Sequence, residues 1–198
     1  MNQQTKVTGV ILAGGLARRM KGQDKGLVEF REKPLIQYAI SAIEPLVKQV
    51  FINANRNLDL YQRFGHSVIM DQTNTFDGPL AGVLTALKAC ETEVLLVMPC
   101  DSPLIKSSHL ERLLSMRENA QADISVAFDG TRLHPVFLAL SADLTASLEQ
   151  FLASGERKID KWLGSHQTIN VDFSDNPEIF ANINTLEELQ VLQQNEND

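Results

Sequence analysis

Six of the chain's eighteen lysines and arginines fall between Arg18 and Lys33, at positions 18, 19, 21, 25, 31 and 33; only Asp24, Glu29 and Glu32 offset them. They follow a glycine pair, Gly14-Gly15, that closes an apolar run beginning at Val7. Glycine permits left-handed backbone angles and lets backbone N–H groups approach an anion closely. A basic run alone describes a solvated loop. Placed after a first apolar strand, in a chain of formal net charge −7, it points to an anionic ligand. The segment has neither the Gly-Lys-Ser/Thr of a Walker loop nor the Gly-x-Gly-x-x-Gly dinucleotide fingerprint. Phosphates would therefore be cradled in another way.

The elements that would position this loop alternate. Short apolar runs at Val7–Ala13, Val50–Ala54, Ser67–Met70, Val94–Cys100, Asp123–Phe128, Pro135–Leu140 and Thr168–Phe173 predict strands, several apolar enough to be covered on both faces. Helical patterns lie between them: Leu35–Val47, Leu80–Cys90 after Gly78-Pro79, Ser107–Met116, Leu144–Ala153, Lys158–Leu163 and Leu186–Gln193. Such βαβα alternation predicts an α/β fold in one domain, a Rossmann-like three-layer αβα arrangement. Residues 1–192 are predicted to form that domain and 193–198 a frayed tail. Ligands of open α/β sheets bind at the carboxyl ends of the strands. Those ends carry Gly14-Gly15, then Asn53-Ala54-Asn55-Arg56, then Asp71, then Asp101.

Composition narrows the functions open to such a chain. The 198 residues hold 18 Lys+Arg against 25 Asp+Glu, with a pI of about 5.1, a balance that disfavours nucleic acid as a partner. No apolar run approaches the ~20 residues that span a bilayer, so no membrane role is expected. The apolar start is short, is interrupted by Thr8 and Gly9, and leads into Arg18-Arg19, unlike a secretory signal. Two cysteines, Cys90 and Cys100, are too few for a disulfide framework and fit a reducing cytoplasm.

The ordered blocks then carry a resemblance. Leu12-Ala13-Gly14-Gly15, Arg19-Met20, Asp24-Lys25-Gly26-Leu27 and Lys33-Pro34-Leu35 resemble the signature loop of nucleotidyltransferases, most closely the molybdenum cofactor guanylyltransferases. It extends through Asn53–Arg56, Asp77-Gly78-Pro79-Leu80-Ala81-Gly82, Pro99-Cys100-Asp101-Ser102-Pro103, Gly155-Glu156-Arg157 and Asn182-Ile183-Asn184-Thr185. It implies a mostly parallel sheet with an antiparallel strand, and transfer of GMP from GTP to molybdopterin. Implied nucleotide-binding residues are Leu12, Ala13, Gly14, Gly15, Lys25, Asn53, Asp71, Gly78 and Asp101. Arg157, Asn182 and Asn184 would face molybdopterin. Transient contacts with a molybdenum insertion protein and molybdoenzyme chaperones follow from the same likeness.

Nucleotidyl transfer brings two polyanions together, so positioning and charge neutralisation should dominate. Mg²⁺ is the expected neutraliser, held by one or two carboxylates together with phosphate oxygens and waters. Asp101, following an apolar run and preceding Ser102-Pro103, is the candidate metal ligand, although aspartate also caps turns. Arg19 and Lys25 are the candidates for the α-phosphate and the leaving pyrophosphate, the first as a bidentate fork and the second as a point charge. Asn53 and Asp71 offer acceptors for the N–H groups of guanine or the hydroxyls of ribose. Cys90, Cys100 and Trp162 are read as packing, and His134 as an exposed turn residue. Competing readings are cytidylyl transfer to molybdopterin, transfer to a sugar phosphate, and a GTP-binding carrier without chemistry. The Leu16-Ala17-Arg18-Arg19 run, where sugar-phosphate enzymes carry Gly-Thr-Arg, weighs against the second.

Overall fold

The computed structural model describes residues 6–14, 24–71 and 78–181. The strands are β1 (Val7–Leu12), β2 (Glu29–Phe30), β3 (Lys33–Pro34), β4 (Gln49–Asn53), β5 (Ser67–Ile69), β6 (Val94–Pro99), β7 (Ile124–Phe128), β8 (Leu133–Ser141) and β9 (Thr168–Asp172). The helices are α1 (Leu35–Ile43), α2 (Leu58–Gln62), α3 (Pro79–Ala89), α4 (Ser107–Ala120), α5 (Thr145–Ala153) and α6 (Ile159–Leu163).

Seven strands form one sheet in the order β5-β4-β1-β6-β8-β7-β9, and β2 and β3 make a separate hairpin. β4 and β6 flank β1 in parallel, β5 extends β4 in parallel, and β9 runs parallel to β7. Only β8 is reversed, pairing antiparallel with both β6 and β7. The fold is thus the predicted α/β sheet with one antiparallel strand.

Alternation along the strands builds two cores. On β6, Leu96 and Met98 face one helical layer while Leu95 and Val97 face the other. The first core is closed by Ile36, Ala39 and Ile43 of α1 and by Leu110, Leu113 and Leu114 of α4. The second is closed by Leu80, Val83 and Leu87 of α3, Leu148 of α5 and Trp162 of α6. Period-two side chains on the sheet meeting period-3.6 stripes on the helices give three layers.

The predicted helix over Leu35–Val47 stops at Ile43 and continues as one 3₁₀ turn, Glu44–Leu46. Pro45 has no N–H for the ladder and crowds the preceding turn. The predicted Ser107–Met116 helix runs on to Ala120, where Gln121 takes a left-handed conformation, φ 49°. The short α2 and the β2–β3 hairpin had no periodic signal long enough to read. The last predicted helix, Leu186–Gln193, and the tail lie outside the described residues.

His134 corrects an expectation. It is 7% exposed on β8, bonded through Nε2 to Asp129 Oδ2 at 2.7 Å and stacked on Phe180 with centroids 4.1 Å apart. Ring stacking and a carboxylate partner let a polar ring sit inside. Trp162 is packed at 1% exposure, as expected. Cys90 caps α3 half-buried, with its thiol near Thr92.

Candidate active site at the carboxyl rim

The central strands end level with one another. Leu12 pairs with Asn53 on one side and Pro99 on the other. Ala13 N–H donates to Asn53 O at 2.8 Å, and Cys100 N–H donates to Leu12 O at 3.1 Å. This register brings the ends of β1, β4 and β6 to one line, from which two polar groups rise.

The first group surrounds Asn53, which is 3% exposed. Its Nδ2 donates to Asp71 Oδ1 at 2.8 Å and lies 3.4 Å from Ile69 O. Asn55 Nδ2 donates to Asp71 Oδ2 at 2.7 Å, and Asp71 N–H returns a bond to Asn55 Oδ1 at 2.9 Å. Asp71 thus accepts from both asparagines. Asn53 Oδ1 is left facing Gly14 and Gly82. Gly82 is needed there: a Cβ would lie 2.9 Å from both Asn53 Cγ and Leu12 Cδ2, and closer still to Asn53 Oδ1. Helix α3 begins beside this group, with Gly78 at φ 71° as its N-cap and Pro79 in the first turn. Asn55 was passed over individually in the sequence; its place two residues beyond Asn53 was the available signal.

The second group is an ion pair. Lys25 Nζ donates to Asp101 Oδ2 at 3.0 Å, joining residues 76 positions apart. Asp101 is 7% exposed and the next residue, Ser102, is 2% exposed. A carboxylate so enclosed requires a cation or donors. Cys100 stands beside it fully inside, and burial, followed by the Asp101 and Asp24 carboxylates, pushes its thiol well above the ordinary range. It therefore stays a neutral packing group. Among the described residues no three His, Cys, Asp or Glu side chains converge as a metal cage. A single carboxylate suits Mg²⁺, which keeps waters and binds phosphates rather than filling an all-protein cage.

Of the predicted site residues, Leu12, Ala13, Gly14, Asn53 and Asp71 gather at the first group, and Lys25 and Asp101 at the second, while Gly78 caps α3. Arg157 bonds elsewhere than in these two groups, to its own loop. It is exposed on the loop after α5, with Nη1 donating to the carbonyls of Leu152 and Glu156 at 2.7 Å each. Gly15, Arg19, Asn182 and Asn184 lie outside the described residues.

Comparison with known proteins gives the family and agrees with the fold. Residues 9–169 match the family described as the MobA-like NTP transferase domain. The chain is 49% identical over 187 residues to the molybdenum cofactor guanylyltransferase of Shewanella sediminis, covering 94% of this chain and 95% of that protein. It is 48% identical over 186 residues to the enzyme of the same name from Shewanella piezotolerans, covering 94% and 91%. In fold it is similar to the molybdopterin-guanine dinucleotide biosynthesis protein A of Archaeoglobus fulgidus, with a TM-score of 0.80, 23% identity and coverage of 96% and 98%.

Proposed function

The chain belongs to the MobA-like NTP transferase domain family, and from that membership and the strand-end geometry we propose that it is a guanylyltransferase of molybdenum cofactor synthesis. It transfers GMP from GTP to the terminal phosphate of molybdopterin and releases pyrophosphate. Relatives at nearly half identity carry the guanylyltransferase name, which does not favour cytidylyl or sugar-phosphate transfer. The observation that carries the proposal is the pairing of Lys25 with the enclosed Asp101 beside the Asn53–Asp71 group.

In the reaction, an oxygen of the molybdopterin phosphate attacks the α-phosphorus of GTP. The bond from that phosphorus to the bridging oxygen breaks, and pyrophosphate departs with the electron pair. A phosphate monoester has its second pKa near ~6, so the nucleophile is already ionised and needs no dedicated base. Asp101 would hold Mg²⁺, which supplies charge neutralisation for the triphosphate when bound. Lys25, paired with Asp101 in this structure, and Arg19 would be the cations that meet the phosphates. Asn53 Oδ1, in the gap beside Gly14 and Gly82, offers an acceptor for guanine or ribose; Gly15 and the Gly78 backbone would approach the same nucleotide. Arg157, Asn182 and Asn184 are assigned to molybdopterin.

Residues 1–192 form the catalytic domain in this reading. Both cysteines are free thiols, which supports the cytoplasm as the compartment. Among the described residues no helix is long and apolar enough to cross a membrane. The product must reach other enzymes, so brief contacts with a molybdenum insertion protein and molybdoenzyme chaperones belong to the proposal.

The test supplies each of the four ribonucleoside triphosphates with Mg²⁺ and molybdopterin and measures pyrophosphate. GTP alone should release it. Turnover with CTP in place of GTP, or tight GTP binding with no pyrophosphate, overturns the proposal.

A further inference from the structure

We propose that Asp24, Asn57 and Tyr61 form a positioning device that docks the turn carrying Lys25 onto α2 and so aims its ammonium at Asp101. The inference deepens, and rests on, the nucleotidyl-transfer reading of that site.

Asp24 sits among basic residues in the sequence yet is only 6% exposed. Its Oδ1 accepts the Tyr61 hydroxyl at 2.6 Å, and its Oδ2 accepts Asn57 Nδ2 at 3.2 Å. Tyr61 is fully buried. Burial, more than any neighbouring charge, pushes its phenol far above the ordinary range, so it remains a proton donor at any working pH. Asn57 takes a left-handed conformation at the start of α2, φ 51°, which asparagine tolerates, and its side chain crosses to Asp24.

The docked turn then fixes the backbone of Lys25 from both sides, and its side chain reaches Asp101. Leu27 N–H returns to Asp24 O at 3.0 Å and Val28 N–H to Lys25 O at 3.2 Å. Gly26 lies on the phenol: a Cβ there would stand 2.6 Å from Tyr61 Oη. Packing alone would have been served by an apolar residue at position 24, since a buried carboxylate is costly unless fully bonded. A carboxylate held by two donors from one helix instead sets direction. α2 itself follows β4, so the strand that ends in Asn53 also leads to the anchor for Lys25.

Tyr61→Phe removes one hydroxyl and keeps the ring. In the intact enzyme it should lower kcat about tenfold while leaving KM for GTP within about twofold. Amide exchange at Gly26 and Leu27 should quicken without nucleotide present. Asp24→Asn, whose amide oxygen still accepts from Tyr61, should keep most turnover, whereas Asp24→Ala should lose it. Single-turnover rates with enzyme in excess complete a cycle: in the Lys25→Ala background, Tyr61→Phe should change the rate less than about twofold. Wild-type kcat in Tyr61→Phe, or the same loss with and without Lys25, overturns the proposal, as does unchanged exchange at Gly26 and Leu27. A wild-type chain inactive with GTP would instead count against the reaction, because the exchange measurement reads the anchor without it.

Discussion

β6 and β7 run in the same direction and each delivers an aspartate to the carboxyl rim, yet the two carboxylates have different lives. Asp129, one residue past β7, accepts Thr131 N–H at 2.8 Å, Thr131 Oγ1–H at 2.7 Å and Arg132 N–H at 2.8 Å, and pairs with His134 at 2.7 Å. Those bonds, the Thr131 hydroxyl first among them, hold its carboxyl below the usual range. Every strong partner comes from its own turn and the strand that follows. Among the described residues, Asp101, two residues past β6, is met instead by Lys25, a long cationic side chain from far along the sequence. A saturated carboxylate builds a turn; one matched by a movable cation can exchange that cation for a ligand. An aspartate at a strand end is therefore a site only when its own turn leaves it unspent.

Exchanging each aspartate for alanine should give the largest contrast. Asp101→Ala should abolish pyrophosphate release while the circular dichroism spectrum stays that of the wild type. Asp129→Ala should lower the unfolding midpoint yet keep kcat/KM within about twofold. Turnover surviving the first change, or lost to the second at full stability, breaks the comparison.

Next in size is Lys25→Ala, which should lower kcat/KM for GTP at least about tenfold, as steady-state kinetics would read. Unchanged kinetics would remove the cation from the site and leave Asp101 no different in kind from Asp129. A smaller effect is expected from Gly82→Ala, which pushes a methyl into the Asn53 amide and Leu12. It should cost about 1–3 kcal/mol of stability, as overpacking does, and raise KM for GTP more than it lowers kcat. Denaturant titration and a KM measurement check the two halves separately.

The smallest effect concerns the helix that follows Asp101. His109 Nδ1 accepts Lys106 N–H at 3.1 Å at the start of α4, a bond that needs the neutral ring. Burial, then the charge of Lys106, lowers its pKa below 6.5. The unfolded chain therefore binds the proton first, and the stability gained from the neutral ring is present above 6.5 and lost as pH falls from there through the lower folded value. The unfolding midpoint should drop slightly between pH 7.5 and 5.5, and less so in His109→Asn. An equal drop in both proteins would exclude His109 as its cause.

Much of this was readable in the chain itself. All seven strands of the main sheet were visible in the sequence: the inner ones as apolar runs, because burial on both faces leaves little room for polar side chains, and the partly exposed edge strands β5 and β9 as shorter or alternating runs. The rim residues Asn53, Asp71 and Asp101 were visible because they interrupt those runs. What escaped was set by contacts between distant segments. Asp24 looked like one acid in a basic loop until Tyr61, 37 positions on, was found to donate to it. His134 looked like a turn residue because it precedes Pro135, whereas Phe180 and Asp129 make its burial affordable. Asp129-Gly130-Thr131-Arg132 carries ordinary turn chemistry, and only bond counting separates its carboxylate from that of Asp101.

The position of β1 has a consequence for how the chain is made. It precedes the other strands of the sheet along the chain but lies third in it, and its second neighbour, β6, begins only at Val94. Until that stretch leaves the ribosome, a nascent chain holds β1 against β4 alone, with one apolar edge open to any other strand. Fragments ending before Val94 should therefore aggregate, and the ones that include β6 should become soluble first.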